Sequence, residues 1–386
     1  MNKNRIGELV IRALFVSVSL NFAQVAIAQG IPTPPGGVPV GPLIAYPGVD
    51  VAIGHNDNLF LTNNNTRSSS LTVISPYIKL EGAPGPHKFD VGFRYDDGRF
   101  SNSSADNYGD YVLNANGNFV FTGRAALKVR AEHRFGHDPR GSTDRVGAAT
   151  PDEYLNQGVG GVFSYGAPGA QGRIEVDGST FSREYQNNRT TTAQADRDTN
   201  TLGGTFFWRV APKTELLFSA QQSDIDYDLS TSTQDSTERR YLVGAKWEAT
   251  ALTTGIFRIG RQTKKFDSGG RTDFSGSAWD AAVRWSPLTY SVFDFTTSKS
   301  TGEATGTADL LLTSGYGVTW NHAWNSRFSS AVNGSWKKDE FLGTGGGRED
   351  KTGALGAKLT YQMQRWLRFS GEYVRTDRDS NNNTFE

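Results

Sequence analysis

Apolar and polar side chains alternate along much of this chain. In KFDVGFRYDDGRF, residues 88–100, Phe89, Val91, Phe93 and Tyr95 interleave with Lys88, Asp90, Arg94 and Asp96. An extended strand sends successive side chains to opposite faces, so the stretch reads as a strand with one oily and one charged face. The pattern recurs. Leu127, Val129 and Ala131 oppose Lys128, Arg130 and Glu132, and Ile174 and Val176 oppose Arg173, Glu175 and Asp177. Tyr241, Val243, Ala245 and Trp247 oppose Arg240, Lys246 and Glu248; Trp279, Ala281, Val283 and Trp285 oppose Asp280 and Arg284; Leu355, Ala357, Leu359 and Tyr361 oppose Lys358. Strands are predicted near 48–54, 69–81, 88–100, 107–121, 124–135, 153–166, 172–186, 198–210, 214–227, 238–250, 255–267, 272–285, 290–299, 310–323, 327–340, 351–362 and 367–378, seventeen in all.

Alternation alone fits a soluble sandwich as well as a membrane barrel. The connections separate the two. Short turns such as GAPGPH (82–87), APGAQ (167–171), APK (211–213) and WNS (324–326) alternate with long polar loops such as GHDPRGSTDRVGAATP, NNRTTTAQADR and LGTGGGRED. That alternation predicts a transmembrane antiparallel up-and-down β-barrel of the bacterial outer membrane, with turns facing the periplasm and loops facing outside. The apolar strand face then meets lipid and the charged face a wet lumen. Trp208, Trp247, Trp285, Trp324 and Trp366 fall near short turns or strand ends, where interfacial aromatic girdles belong.

The N-terminus agrees. Lys3, Arg5 and Arg12 flank the apolar run ALFVSVSLNF, and AIAQG follows. This is a secretory signal peptide over residues 1–28, cut after Ala28, with an apolar run too short to span a bilayer as a helix. Residues 29–45 hold five prolines and are expected to form an extended periplasmic leader, either a linker or a docking segment. The barrel is then residues 46–386.

Composition removes several classes. The hydrophobic fraction is 36% and no later segment is long and apolar enough for a membrane helix, while 12% aromatics argue against disorder. Cysteine is absent, so no disulfide framework exists. Without the leader the chain is close to neutral and carries no basic patch, so nucleic acid is not an expected partner. An odd strand count puts the last strand end outside. An even count is the rule for single-chain bacterial barrels, so about eighteen strands are expected when complete.

Four stretches carry a resemblance: HNDNLFLTNNN, ISPYIKLEG, DNYGDYVLNANGNF and YVRTDRDSN. Together the chain resembles outer-membrane porin-2 type barrels, which include exopolysaccharide-operon proteins of the EpsL kind. The resemblance implies an outer-membrane barrel linked to polysaccharide secretion, with a further strand after RDSN and no established catalytic residues.

Candidate chemistry is sparse. The five histidines form no HExxH pair, and no G-x-S-x-G elbow or phosphate loop occurs. No cofactor or metal is expected. DIDYD places Asp224, Asp226 and Asp228 on one face beyond Leu216 and Phe218, as a solvated strand tip or a site for cations bridging lipopolysaccharide phosphates. The residues that matter for transport are the inward charges. Pore-lining candidates are Arg94, Asp96, Arg130, Glu132, Arg134, Arg173, Glu175, Asp177, Arg240, Lys246, Glu248, Arg258, Asp280, Arg284, Lys358, Arg368 and Glu372. Their mixed signs suit neutral or weakly acidic polar solutes, or charges that only knit the wall. The leading expectation is an outer-membrane channel, with polysaccharide export implied by the resemblance. A general diffusion porin and a plugged surface-binding barrel are the alternatives, and an enzyme is not expected. Expected partners are outer-membrane lipid and lipopolysaccharide, the barrel-assembly machinery and polysaccharide-export components.

Overall fold

The computed structural model describes residues 36–62, 65–142, 148–167, 169–248, 252–304 and 308–382, with the backbone of 11–13. The expected signal peptide and its cleavage point lie otherwise outside the described residues.

Among the described residues nineteen strands account for nearly all of the regular structure: β1 Ile11–Ala13, β2 Val38–Val40, β3 Leu43–Asn56, β4 Ser69–Gly82, β5 Lys88–Phe100, β6 Tyr108–Val120, β7 Ala125–Asp138, β8 Asp152–Tyr165, β9 Gly172–Tyr185, β10 Arg197–Ala211, β11 Thr214–Tyr227, β12 Ser236–Trp247, β13 Thr253–Phe266, β14 Phe274–Leu288, β15 Ser291–Gly302, β16 Leu310–Ala323, β17 Phe328–Leu342, β18 Glu349–Gln362 and β19 Leu367–Ser380. The short β2 and seventeen long strands, β3 to β19, pair antiparallel in chain order. This is an up-and-down barrel sheet, and each of the seventeen expected segments corresponds to one long strand. The antiparallel sheet is not closed on itself. β3 and β19 do not pair with each other, and β1 lies between them, parallel to both.

The leader departs from expectation. Val38–Val40 and the start of β3 form a hairpin inside the stretch read as irregular. Gly41, at φ 59, supplies the left-handed turn residue. Pro47 falls between the parts of β3 paired to β2 and to β1, where β3 has a ladder partner on the β4 side only. Proline is tolerated at such margins because a missing N–H leaves no bond unmade.

One face of the sheet is concave. Side chains two strands apart meet there: Arg94 of β5 with Asp50 of β3 at 2.9 Å, and Arg183 of β9 with Asp138 of β7 at 2.7 Å. Only a face that curves inward brings such groups together. On the other face the apolar side chains diverge and stay exposed, including Val159, Leu202, Phe218, Val243, Leu355 and Leu359.

The convex face is itself divided. On β18, Leu355, Ala357, Leu359 and Tyr361 occupy the turn half, and Lys351 and Glu349 the loop half. On β11, Leu216, Phe218 and Ala220 give way to Gln222, Asp224 and Asp226. On β12, Trp247, Ala245, Val243 and Tyr241 give way to Arg239 and Thr237. Four or so outward residues per strand is the depth of an apolar band about 25 Å tall on tilted strands. Aromatics border it on both sides. The turn-end girdle includes Trp208, Trp285 and Trp324, with a ring contact chain from Trp285 to Phe293 to Trp320 to His322 to Trp324 at centroid distances of 4.3–6.0 Å. A second girdle of Tyr95, Tyr111, Tyr241, Tyr316, Trp336 and Tyr373 closes the band at mid-strand, with Tyr95 opposite Tyr111 and Tyr316 opposite Trp336.

Candidate functional site: the concave wall and its loop-end mouth

Strand register carries the concave face around the sheet. Tyr77 opposes Arg94, Asn116 opposes Arg130, Asn114 opposes Glu132, and Asn156 opposes Arg134. Farther round, Val162 opposes Asp177, Gly244 opposes Arg258, Arg258 opposes Asp280, and Lys358 opposes Glu372. Sixteen of the seventeen candidates occupy this face. Glu248 lies just past the end of β12, with its side chain 67% exposed and 3.7 Å from Lys246 of this face. The strand ends one residue earlier, at Trp247, and the Glu248 amide donates to the Lys213 carbonyl across the turn at 2.8 Å.

Most of these charges are paired. Arg94 bridges Asp50 and Asp96, at 2.9 and 2.7 Å. Arg134 pairs with Glu132 at 2.9 Å, Arg284 with Asp294 at 2.7 Å, and Lys358 with Glu372 at 3.2 Å. Arg173 contacts Glu175 and reaches Glu215 two strands away at 3.3 Å. Arg258 pairs with Asp280 at 2.8 Å, and Arg240 stands 3.5 Å from the same carboxylate. Arg258 and Arg130 both lie within electrostatic range of Asp177. Arg368 lies opposite Gln362 near the turn end. Asp50, Asp138, Arg183 and Asp294 complete these networks and were missed in the sequence. Asp50 was recoverable from alternation, since it sits between Val49 and Val51.

A second sector of the wall is uncharged at mid-strand, between Asp294 toward the turn end and the Lys337–Asp339 pair toward the loop end. On β15 to β17 the mid-strand concave positions are Thr296, Ser298, Thr319, Gly315, Gly317, Asn333 and Ser335, matched in register across the three strands.

At the loop end, carboxylates knit the mouth together. Glu303, just beyond β15, accepts from Lys264 Nζ and from Tyr227 Oη, both at 2.5 Å, so it ties β15 to β13 and β11. Lys264 is fully buried and also bonds Glu238 at 3.1 Å. Burial alone would push the Glu303 carboxyl up. Lys264 and Arg197, with hydrogen bonds from Lys264 and Tyr227, outweigh this and hold it below its usual 4.5. Asp309 is 2% exposed and accepts from Arg271 at 3.1 Å and from the Thr272 and Thr344 amides at 3.1 and 2.7 Å, joining three loops. Gly343, at φ 88, lies against that carboxylate, where any Cβ would collide. Arg140 binds buried Asp106 in the same way between two other loops.

Asp224 and Asp226 face outward in line with Leu216 and Phe218, and Asp226 opposes Asp198. Desolvation, with Asp198, Asp196 and Glu184 nearby, raises the Asp228 carboxyl above its ordinary value. Among the described residues no group of three or more His, Cys, Asp or Glu is placed to hold a metal ion.

Residues 32–386 match the family described as "Putative beta-barrel porin 2". The chain belongs to this family. It is an outer-membrane, porin-like β-barrel, and the charged concave face is the luminal face of such a barrel. No curated protein matches it in sequence. It is similar to the siderophore receptor PirA from Pseudomonas aeruginosa, at 8% identity and a TM-score of 0.47 over 96% of this chain and 76% of that one. It is also similar to the FrpB iron transporter from Neisseria meningitidis, at 11% identity and a TM-score of 0.44, and spans 62% of that chain. A bacterial polysaccharide outer membrane secretin aligns over 80% of this chain and 90% of its own, at 9% identity and a TM-score of 0.36.

Proposed function

We propose that this porin-2 family barrel is a conducting, non-enzymatic channel for hydrated, polyhydroxylated solutes, with a secreted polysaccharide as its cargo. The observation that carries this reading is the division of the luminal wall. The β15–β17 sector offers hydroxyls, an amide and bare backbone, namely Thr296, Ser298, Thr319, Asn333, Ser335, Gly315 and Gly317. A sugar polymer can exchange its water for such groups and meets fixed charges, Asp294 and the Lys337–Asp339 pair, only at the borders of the sector. The rest of the wall carries charges mostly paired with one another, so they wet the lumen without imposing one sign. Barrel-assembly machinery and polysaccharide-export components are the partners this reading requires.

The experiment is single-channel recording in planar bilayers. Steady conductance steps, blocked by a neutral polysaccharide added to one side, support the reading. Conductance that ignores every polymer reduces it to diffusion of small solutes. Silence from folded, inserted protein overturns it.

A further inference from the structure

The luminal wall at β12–β14 gathers several unpaired polar atoms in one place, where elsewhere they occur singly, as at Asn114, Asn156 and Arg183. Arg240 and Gln262 oppose each other across β12 and β13, and Arg258 and Asp280 across β13 and β14. Arg240 Nε and Nη2, Gln262 Nε2 and Asp280 Oδ2 are all buried without a hydrogen-bond partner. The Asp280 oxygen sits 3.5 Å from Arg240 Nη2, in ion-pair range but too far for a good hydrogen bond. Gln262 is 3% exposed, and its oxygen is engaged by the Thr301 amide at 3.4 Å, which leaves the NH2 end free. Three unmatched N–H donor atoms and one acceptor thus converge on neighbouring strands, beside two guanidiniums that share a single carboxylate.

Buried donors without partners cost free energy, and native structures hold few of them. Elsewhere on this wall the guanidiniums of Arg94 and Arg284 are matched by carboxylates. What Arg240 lacks is an acceptor for its donors: Asp280 is taken by Arg258 at 2.8 Å and Glu238 by Lys264 at 3.1 Å. The complement is a planar anion with paired acceptor oxygens, which is a carboxylate. Arg240 keeps 26% of its side-chain surface, so a rotation of its unbranched stem presents the guanidinium to the lumen.

We infer that Arg240, with Gln262 and Arg258, forms a luminal binding site for a carboxylate carried by the solute, such as a uronic acid unit of an acidic polysaccharide. The inference rests on the channel reading for its biological meaning, but the site can be tested without conduction. Titration calorimetry of the folded barrel in detergent is the measurement, with glucuronate as probe and glucose as neutral control. Glucuronate is expected to bind and glucose to bind at least tenfold more weakly. Arg240→Gln is expected to weaken glucuronate tenfold or more, Arg240→Lys to give an intermediate loss, and Gln262→Met a smaller one. Arg261→Gln, on the convex face, leaves binding unchanged. Equal affinity for the two sugars, or an undiminished affinity in folded Arg240→Gln, overturns the inference and leaves the channel reading standing. Carboxylate binding by a barrel that does not conduct would do the reverse.

Discussion

The turn half and the loop half of this wall are built from the same strands and solve different problems. In the turn half, outward residues such as Val243, Phe218 and Leu359 are apolar, and the connections are only a few residues long. In the loop half, outward residues such as Arg239, Asp226 and Lys351 are polar, and the loops are tied by buried Asp106, Asp309 and Glu303. The bilayer satisfies the outer face of the first half and water that of the second. In the first half every backbone group must find its partner in the ladder, since lipid offers none. In the second, side chains can take over that work. Fourteen-residue strands are thus longer than a membrane needs, and their upper ends stand above it as a rigid mouth.

The largest effect that separates the halves should come from a charge on the outer face. Val243→Arg is expected to destabilise the inserted barrel by about 2–4 kcal/mol, and Thr237→Arg, on the same strand beyond the band, by about 0–1 kcal/mol. Urea unfolding from vesicles reads both, and equal costs would erase the boundary. Next in size is the mouth. Asp309→Ala removes one acceptor from Arg271 and two amides, and is expected to lower local stability by about 1–3 kcal/mol. Faster hydrogen exchange confined to 267–273 and 343–348 is the signature, and a global loss would place Asp309 in the barrel fold instead.

Acid should act on the mouth alone. The Glu303 carboxyl is held below 4.5, so its brace is fully present above that value and is lost as pH falls through the lower folded-state value. Amide protection near Tyr227 and Lys264 is expected to drop over that window in the wild type. Glu303→Gln should start weaker and show no such step. The smallest effect sharpens the band edges. Single-tryptophan variants retaining Trp208 or Trp336 should be quenched best by lipids brominated near the headgroup, and one carrying Val243→Trp by lipids brominated deep in the chain.

Alternation made the strands and their faces legible, because a period of two needs only neighbours to be read. That period alone assigns sixteen charged positions to one face, and Glu248 falls just past a strand end. The mouth was not legible. Glu303 meets Tyr227 across 76 residues and Asp309 meets Arg271 across 38, and nothing local marks either pair. The β2–β3 hairpin was hidden by prolines, whose usual exclusion from strands lapses at a sheet margin. Tyr95 and Tyr241 were legible as apolar-face positions, and with Tyr111, Tyr316, Trp336 and Tyr373 they became a belt only once register set them level. The unpaired donors at Arg240 and Gln262 appear only in three dimensions.

The central claim is a wall with lipid on one face and water on the other, and the chain has no cysteine to confuse a labelling test. Single cysteines placed along β9 in lipid vesicles, with a membrane-impermeant charged maleimide, test it most directly. The account predicts labelling at Glu175, Asp177 and Ser179, none at Ile174, Val176 and Gly178, and labelling again at Glu184 above the band. Labelling at Val176, or silence at Asp177 in an inserted barrel, would contradict it.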